Sequence, residues 1–123
     1  GSPFNPVVYN GRRYEIGQCN NFFIFPGVGL GVTAGNIGRV TDGMFLAAAK
    51  ALSERITANS SEGCAYLEVR RIRECSHAVA CAVIKCAVSE GHADQEVLKN
   101  LEETVKNAMW FPDYLPVRYD DTL

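Results

Sequence analysis

The segment from Phe22 to Asn36, FFIFPGVGLGVTAGN, constrains the fold of this chain more than any other part of its sequence. It carries no charged side chain, and a helix that is apolar nearly all round requires covering on every side. The chain has 123 residues, enough for one modest domain with a single core. We therefore expect this segment to pack in the core, and we expect so short a chain to leave part of it uncovered.

The glycines within this segment allow two interpretations. Gly29 to Ala34 reads G-x-G-x-x-A, the dinucleotide fingerprint, and the apolar run Phe22 to Phe25 could be the strand before it. A fingerprint requires a strand, a tight turn and a helix in direct succession, and then a second strand. Pro26 interrupts that succession, and Thr41-Asp42 caps a helix where the second strand is needed. The pattern favours a buried helix with a strip of small residues for close packing, formed by Gly27, Gly31 and Ala34 or Gly35.

Turn and capping residues divide the remaining sequence into a hairpin and three further helices. Two β-prone runs flank Asn10-Gly11, a dipeptide that tolerates positive φ, and predict a hairpin within 7–16. Apolar residues at helical spacing predict four helices in all, at about 22–35, 43–55, 72–90 and 94–109. Their start and stop signals are Asn20 or Asn21, Thr41-Asp42, Gly91 and Asp94.

The predicted fold is mainly α with a small N-terminal β-hairpin. A single segment spans 1–123: extended or hairpin over 1–18, helical over 20–111, and extended over 112–123 because of Pro112 and Pro116. We expect the apolar stripes of the last three helices to be formed by Met44-Phe45, Ala48 and Leu52, by Ile72, Cys75, Val79, Ala82-Val83 and Cys86, and by Val97, Leu98, Leu101 and Val105.

The composition excludes several classes of function. A net charge of −2 gives no general attraction to nucleic acid or to an anionic membrane. No apolar run approaches the roughly 18 residues of a membrane span. The basic patch Arg70-Arg71-Arg73 is typical of a solvated helix start or an anion contact rather than of a nucleic-acid site.

Five cysteines, an odd number without disulfide-scaffold spacing, indicate a reduced intracellular protein, cytoplasmic or mitochondrial. Because Gly1-Ser2 lacks an initiator Met, we expect a tag remnant or the interior of a longer protein.

Cysteine and histidine residues near the middle of the chain raise the possibility of a metal site. Cys75, His77, Cys81 and Cys86 all fall in one predicted helix. Cys75 and Cys86 share a stripe, but the helical rise separates them by roughly 16 Å, too far for one ion. We therefore expect small buried thiols and no metal ligands. With His77 and His92 as the only histidines, we also expect no histidine-based catalytic site.

The polar run Gln18-Cys19-Asn20-Asn21 stands at the head of the apolar helix. Amide donors beside the positive end of a helix suit a carboxylate or a phosphate. Plain helix capping is the alternative, and the residues alone favour it.

Several ordered motifs resemble the carboxyl-terminal part of malic enzyme. They are Gly1-Ser2-Pro3-Phe4, Gly17-Gln18-Cys19-Asn20-Asn21, Phe25-Pro26-Gly27-Val28-Gly29-Leu30-Gly31, the run from Thr41 to Leu52, and Ile72-Arg73-Glu74-Cys75-Ser76. The resemblance covers nearly the whole chain and is closest before residue 53. It implies a C-terminal piece of an α/β Rossmann-like NAD(P)-binding domain, in which Gly29 to Ala34 is a packing helix and not the nucleotide loop.

The malic enzyme family oxidatively decarboxylates malate to pyruvate and CO₂ with NAD or NADP and a divalent metal, Mg²⁺ or Mn²⁺. The resemblance implies that the catalytic residues, the metal ligands and the dinucleotide fingerprint lie upstream of residue 1, so that this chain alone is inactive and binds no cofactor. It places the carboxylate of malate against Asn20 and Asn21, without deciding between them. Cys19 stands where many members have Gly, which could alter the turn before the pair.

The expected partners follow from the same resemblance. Malate is the small-molecule partner, no nucleic acid or membrane is expected, and the parent is expected to be a homo-oligomer. The isolated chain is expected to self-associate, because it must expose apolar surface. A non-catalytic helical interaction or dimerisation module is the alternative function, supported by that same surface and by the missing catalytic groups.

Overall fold

A computed structural model describes residues 4–14, 16, 20–57 and 71–117 of the chain. In these residues a hairpin precedes a set of packed helices. The elements are β1 (Val7–Tyr9), β2 (Arg12–Tyr14), α1 (Phe25–Ala34), α2 (Asp42–Thr57), α3 (Ile72–Ser89) and α4 (Leu101–Ala108). The predicted class, mainly α with a small N-terminal hairpin, is confirmed. Cys19, Cys64, Arg70, the predicted loop 59–63 and the end of the predicted tail lie outside the described residues.

The hairpin is antiparallel and turns where the sequence predicts. Tyr9 pairs with Arg12 across the turn, and the two turn residues have positive φ, 49° at Asn10 and 73° at Gly11. Two consecutive left-handed residues are what a two-residue hairpin loop needs to match the twist of its strands. The side chains of both strands are exposed, so the hairpin lies on the surface and contributes nothing to the helical core.

The small residues of α1 allow it to lie directly against the backbone of α3. A Cβ atom added at Gly31 would lie 3.0 Å from the carbonyl oxygen of Ala80, and one added at Gly35 would lie 2.9 Å from a side-chain carbon of Ile84. Gly27 makes a similar approach to α3. The predicted packing strip is therefore confirmed, with Gly35 completing it rather than Ala34. Because 29–34 lies inside α1, it is not the glycine turn that a nucleotide loop requires.

The core lies between α3 and the helices around it. Met44 and Ala48 of α2 are fully buried, as are Val79 and Val83 of α3. Further buried members of this cluster are Val28, Ile37, Ala80, Cys81, Ile84, Ala87, Leu101 and Val105. The predicted stripes are wrong at two positions, because Phe45 is 42 % exposed and Leu98 is 40 % exposed.

Residues with a left-handed backbone conformation follow the ends of α1 and α3. After α1, Asn36 takes a φ of 47°, and the amide of Ile37 donates to the carbonyl of Val32 at 3.0 Å. After α3, Gly91 takes a φ of 75°, and the amide of His92 donates to the carbonyl of Ala87 at 2.8 Å. Both arrangements satisfy carbonyl groups that a helix end leaves without an internal partner.

The last predicted helix, 94–109, is divided in the structure. Asp94 caps a 3₁₀ turn, Gln95–Asn100, by accepting from the amide of Glu96 at 2.9 Å. Asn100 then leaves helical geometry, with φ −131° and ψ 36°, and α4 starts at Leu101. The change of direction lets Leu101 and Val105 reach the core, so packing overrides the continuous helical pattern. The first predicted helix likewise starts with a 3₁₀ turn, Asn21–Phe23, before α1.

Candidate functional site

Asn20 is held in a fixed position just before the first helical turn. Its backbone is extended, with φ −137° and ψ 137°, and its Oδ1 accepts from the amide of Phe22 at 3.1 Å. Because the oxygen takes this bond, the side-chain amide nitrogen is the atom left to donate to a ligand. Asn20 is half-buried, whereas Asn21 is exposed within the 3₁₀ turn. Asn20 therefore caps this turn, and the pair is not the direct cap of α1.

Two phenylalanines fix the turn that carries the asparagines. The rings of Phe22 and Phe23 lie 4.2 Å apart between centroids, and Phe23 is buried, at 4 % exposure. The turn contacts both α1 and α3. The anchored turn and the bond to the amide of Phe22 hold the side chain of Asn20 in position, which is what a ligand-binding amide needs.

The arginines at the start of α3 make internal contacts. Arg71 pairs with Glu74 at 2.6 Å. The guanidinium of Arg73 donates to the carbonyl oxygen of Trp110 and lies over the ring of Phe111, 4.1 Å from its centroid. This arginine thereby holds the start of the C-terminal tail beside α3. Arg71 and Arg73, the described residues of the basic patch, thus make contacts within the chain.

An apolar groove of about 240 Å³ lies between α1, α3 and the residues that follow α4. Its walls are Pro26, Leu30, Ile72, Arg73, Ser76, Met109 and Trp110. The groove offers few polar groups to orient a small molecule, so it is a poor candidate for the site of a dicarboxylic acid such as malate.

The cysteines in the described part of the chain are free thiols, as predicted. Cys75 is buried at 2 % exposure and Cys81 at 5 %. Burial raises the pKa of the Cys75 and Cys81 thiols, to about 11 for Cys81, where the nearby Glu102 carboxylate adds to the effect. Thiols of this kind are protonated at neutral pH and are poor nucleophiles.

One grouping of side chains with possible metal-ligand atoms was not predicted from the sequence. His77, Cys81 and Glu102 each place one possible metal ligand within 4.8 Å of the other two. The spacing of four residues between His77 and Cys81 was a usable signal, because it puts both on one face of α3. Nothing in the sequence placed Glu102 beside His77 and Cys81, because its position depends on how α4 packs against α3.

Comparison with known proteins decides the family. A family model described as malic enzyme, NAD binding domain, matches residues 1–88. The chain belongs to the malic enzyme family. Its relatives include NAD-dependent malic enzyme 2 of Photobacterium profundum, 42 % identical over 116 residues that cover 94 % of this chain and 21 % of the relative. NAD-dependent malic enzyme 3 of Bacillus subtilis is 42 % identical over 118 residues, covering 96 % of this chain and 21 % of the relative.

The malic enzyme relatives are much longer than this chain. The NAD-dependent malic enzyme of Edwardsiella ictaluri is 43 % identical over 115 residues, which are 93 % of this chain and only 20 % of the relative. The chain thus spans about a fifth of the length of the curated relatives it matches. Membership of this family confirms the resemblance seen in the sequence and does not favour the alternative of a non-catalytic interaction module. None of the described helices is long and apolar enough to cross a membrane.

Proposed function

We propose that this chain is the carboxyl-terminal part of the NAD(P)-binding domain of a malic enzyme. The complete protein then oxidatively decarboxylates malate to pyruvate and CO₂, using NAD or NADP and Mg²⁺ or Mn²⁺. The observation that carries the proposal is the match of residues 1–88 to the family's NAD-binding domain, together with relatives that are named NAD-dependent malic enzymes.

Within that reaction, the chain contributes to holding the substrate. The side-chain nitrogen of Asn20 donates to a carboxylate of malate while its oxygen stays bonded to the amide of Phe22. A neutral amide binds the anion without introducing a charge that would have to be balanced, and its bond to a carboxylate is charge-assisted. The support is the capping, half-buried position of Asn20 and the packing of Phe22 against Phe23 in the turn that follows it.

The catalytic metal and the nucleotide do not fit the described residues. Mg²⁺ and Mn²⁺ prefer oxygen ligands, whereas the grouping of His77, Cys81 and Glu102 offers nitrogen and sulfur as well. Gly27 and Gly31 of α1 lie directly against α3 and leave no room there for a pyrophosphate. We therefore assign both cofactors to residues other than those that the structure describes.

The proposal is tested by assaying the complete protein and the isolated chain side by side. We expect malate-dependent reduction of NAD or NADP with release of CO₂ from the complete protein in the presence of Mn²⁺. The isolated chain should give no reduction above a buffer control, because the described residues offer no general base beside an oxygen-ligated metal. A complete protein that bound malate without turnover would contradict the proposal, as would turnover by the isolated chain.

A further inference from the structure

Three side chains with metal-binding donor atoms converge between α3 and α4. His77 and Cys81 lie one helical turn apart on α3, and Glu102 reaches them from the first turn of α4. His77 Nδ1 lies 3.5 Å from Glu102 Oε2 and 4.0 Å from Cys81 Sγ. A nitrogen, a sulfur and an oxygen thus face one another, and each of them can offer a lone pair to a cation.

A hydrogen bond of His77 determines which ring nitrogen faces this cluster. Its Nε2 lies 3.1 Å from the backbone carbonyl oxygen of Glu102. A carbonyl only accepts, so Nε2 carries a proton and donates it. Nδ1 is then directed at Cys81 and at the Glu102 carboxylate. A histidine oriented by a carbonyl behind it is the usual arrangement for a metal ligand, because the second bond fixes the tautomer and the ring.

We propose that His77, Cys81 and Glu102 bind a zinc ion, with water as the fourth ligand. Zinc accepts nitrogen, sulfur and oxygen at about 2.0–2.3 Å, so the edges of its tetrahedron are roughly 3.4–3.7 Å. The separations of 3.5 Å and 4.0 Å lie close to these edges. Glu102 is 74 % exposed in its side chain and can rotate to complete the site without disturbing the core.

The surroundings suit an ion held at the edge of the core. Cys81 is buried, and a recess of about 440 Å³ opens beside the cluster. The walls of this recess are His77, Glu102, Glu103, Lys106 and Asn107. Solvent in the recess supplies the fourth ligand. Glu103 and Lys106, which line the same recess, carry opposite charges.

Binding exchanges a proton for the ion. The S–H bond of Cys81 breaks, its electron pair forms the sulfur–zinc bond, and the proton passes to solvent, with no change in oxidation state. Without an ion the thiol keeps its proton, because burial and the Glu102 carboxylate raise its pKa to about 11. The bound ion then ties α3 to the first turn of α4 and clamps the two helices together.

Titration of the reduced 123-residue chain with Zn²⁺, and separately with Co²⁺, tests the proposal. We expect one Zn²⁺ per chain, release of about one proton, and a rise in melting temperature of about 10 °C at a hundredfold excess over Kd. Co²⁺ should give a sulfur-to-cobalt charge-transfer band and tetrahedral d–d absorption. These readouts need no malate and no turnover, so their failure is distinct from a failure of the proposed enzymatic function.

Substitutions on the same two helices provide matched comparisons. C81S, H77Q and E102Q should each weaken Zn²⁺ binding by about tenfold or more, and C81S should abolish the charge-transfer band. C86S on α3 and E103Q on α4 lie outside the cluster and should leave the affinity and the spectrum unchanged. E102Q alters an exposed side chain, so it remains informative if a core substitution unfolds the chain. Absence of stoichiometric binding, or binding that survives C81S and E102Q, would overturn the proposal and leave His77 and Glu102 as a simple contact between α3 and α4.

Discussion

Gly27 faces Val79 so closely that a Cβ on Gly27 would lie 2.6 Å from the Cβ of Val79 and 2.9 Å from the carbonyl oxygen of Ser76. Neither obstacle is the movable end of a long side chain. The approach of α1 to α3 is therefore set by the absence of a side chain at this position, and any larger residue must push the two helices apart.

Gly27→Ala should lower the free energy of unfolding by about 1–3 kcal/mol, because overpacking outweighs the better helix propensity of alanine. Gly29 is the matched control, since it lies in the same helix with nothing within 4 Å of an added Cβ. Gly29→Ala should raise stability by about 0.5–1 kcal/mol. Urea unfolding of both variants measures the difference, and equal effects of the two would show that α1 does not pack as described.

Thr41 joins the start of α2 to the end of α3. Its hydroxyl accepts from the amide of Met44 at 3.3 Å and donates to Glu90 Oε2 at 2.5 Å. Thr41→Val keeps the shape but loses the cap, so it should cost about 1 kcal/mol of stability. Thr33→Val removes an exposed hydroxyl bonded only to the carbonyl of Gly29 and should cost less than about 0.5 kcal/mol. Thermal melts of the two variants provide the comparison.

The effect of Thr41→Val should also depend on pH. The hydroxyl of Thr41 is the main cause that lowers the pKa of the Glu90 carboxyl below 4.5. Because the pKa of Glu90 is lowered in the folded state, its bond to Thr41 contributes to stability above pH 4.5. This contribution is lost as pH falls through the folded-state pKa of Glu90. The stability gap between wild type and Thr41→Val should therefore narrow in acid. A gap that stayed constant down to low pH would argue against the Thr41–Glu90 bond.

Cys81 should make the fold sensitive to alkali. Its thiol has a pKa raised from 9.0 to about 11 by burial and by Glu102. As pH rises, the unfolded chain therefore loses this proton before the folded chain does. The contribution of Cys81 to the free energy of unfolding is fully present below pH 9 and declines between pH 9 and about 11. Cys81→Ala removes the titrating group and should flatten this decline in metal-free buffer. Unfolding curves across that range would disprove the assignment if the wild type and Cys81→Ala lost stability equally.

Local chemistry accounts for the parts of the fold that the sequence predicts. Asn10-Gly11 and Gly91 take the positive φ angles that their turns require, because those angles follow from the residues themselves. The break between Asn100 and Leu101 was not predictable in this way, since it depends on α4 tilting its apolar face toward α3. The cluster at His77 was missed for the same reason, because two helices must dock before Glu102 can approach it.

The C-terminal tail should cause the isolated chain to self-associate. Large apolar side chains are exposed there, at 76 % for Trp110, 85 % for Leu115 and 97 % for Val117. Phe25 of α1 is also 54 % exposed, so part of the apolar helix is left uncovered. Exposed apolar surface of this kind favours association with a partner. Light scattering should show mass increasing with concentration.

Serine substitutions separate the tail from the hairpin as the cause of association. Replacing Trp110 and Leu115 by Ser should reduce the association, whereas Phe4→Ser, at an exposed position before the hairpin, should not. If the wild-type chain is monomeric at all concentrations, the prediction is wrong. If only Phe4→Ser reduces the association, the contact is made near the hairpin and not by the tail.

Asn20 combines a capping oxygen with a donor nitrogen, and the two roles can be separated in the complete protein. Asn20→Ala removes both, so it should cost about 1 kcal/mol of stability and lower kcat/KM for malate by roughly ten- to hundredfold. Asn20→Asp keeps an acceptor for the amide of Phe22 but replaces the donor nitrogen with a carboxylate oxygen, and the negative charge of this group repels the carboxylate of malate. Its melting temperature should stay near that of the wild type, while kcat/KM for malate falls at least as far as in Asn20→Ala.

Asn21→Ala is the internal comparison, because Asn21 is exposed one residue further along the same turn. It should change stability and malate kinetics little, and the KM for the nucleotide should be unchanged in all three variants, since no nucleotide contact is assigned to this turn. Steady-state kinetics and thermal melts on the same preparations measure both roles. If Asn20→Asp retains wild-type kcat/KM for malate while Asn21→Ala loses it, the carboxylate is held by Asn21 and Asn20 is only a cap; if neither loses it, malate does not bind at this turn.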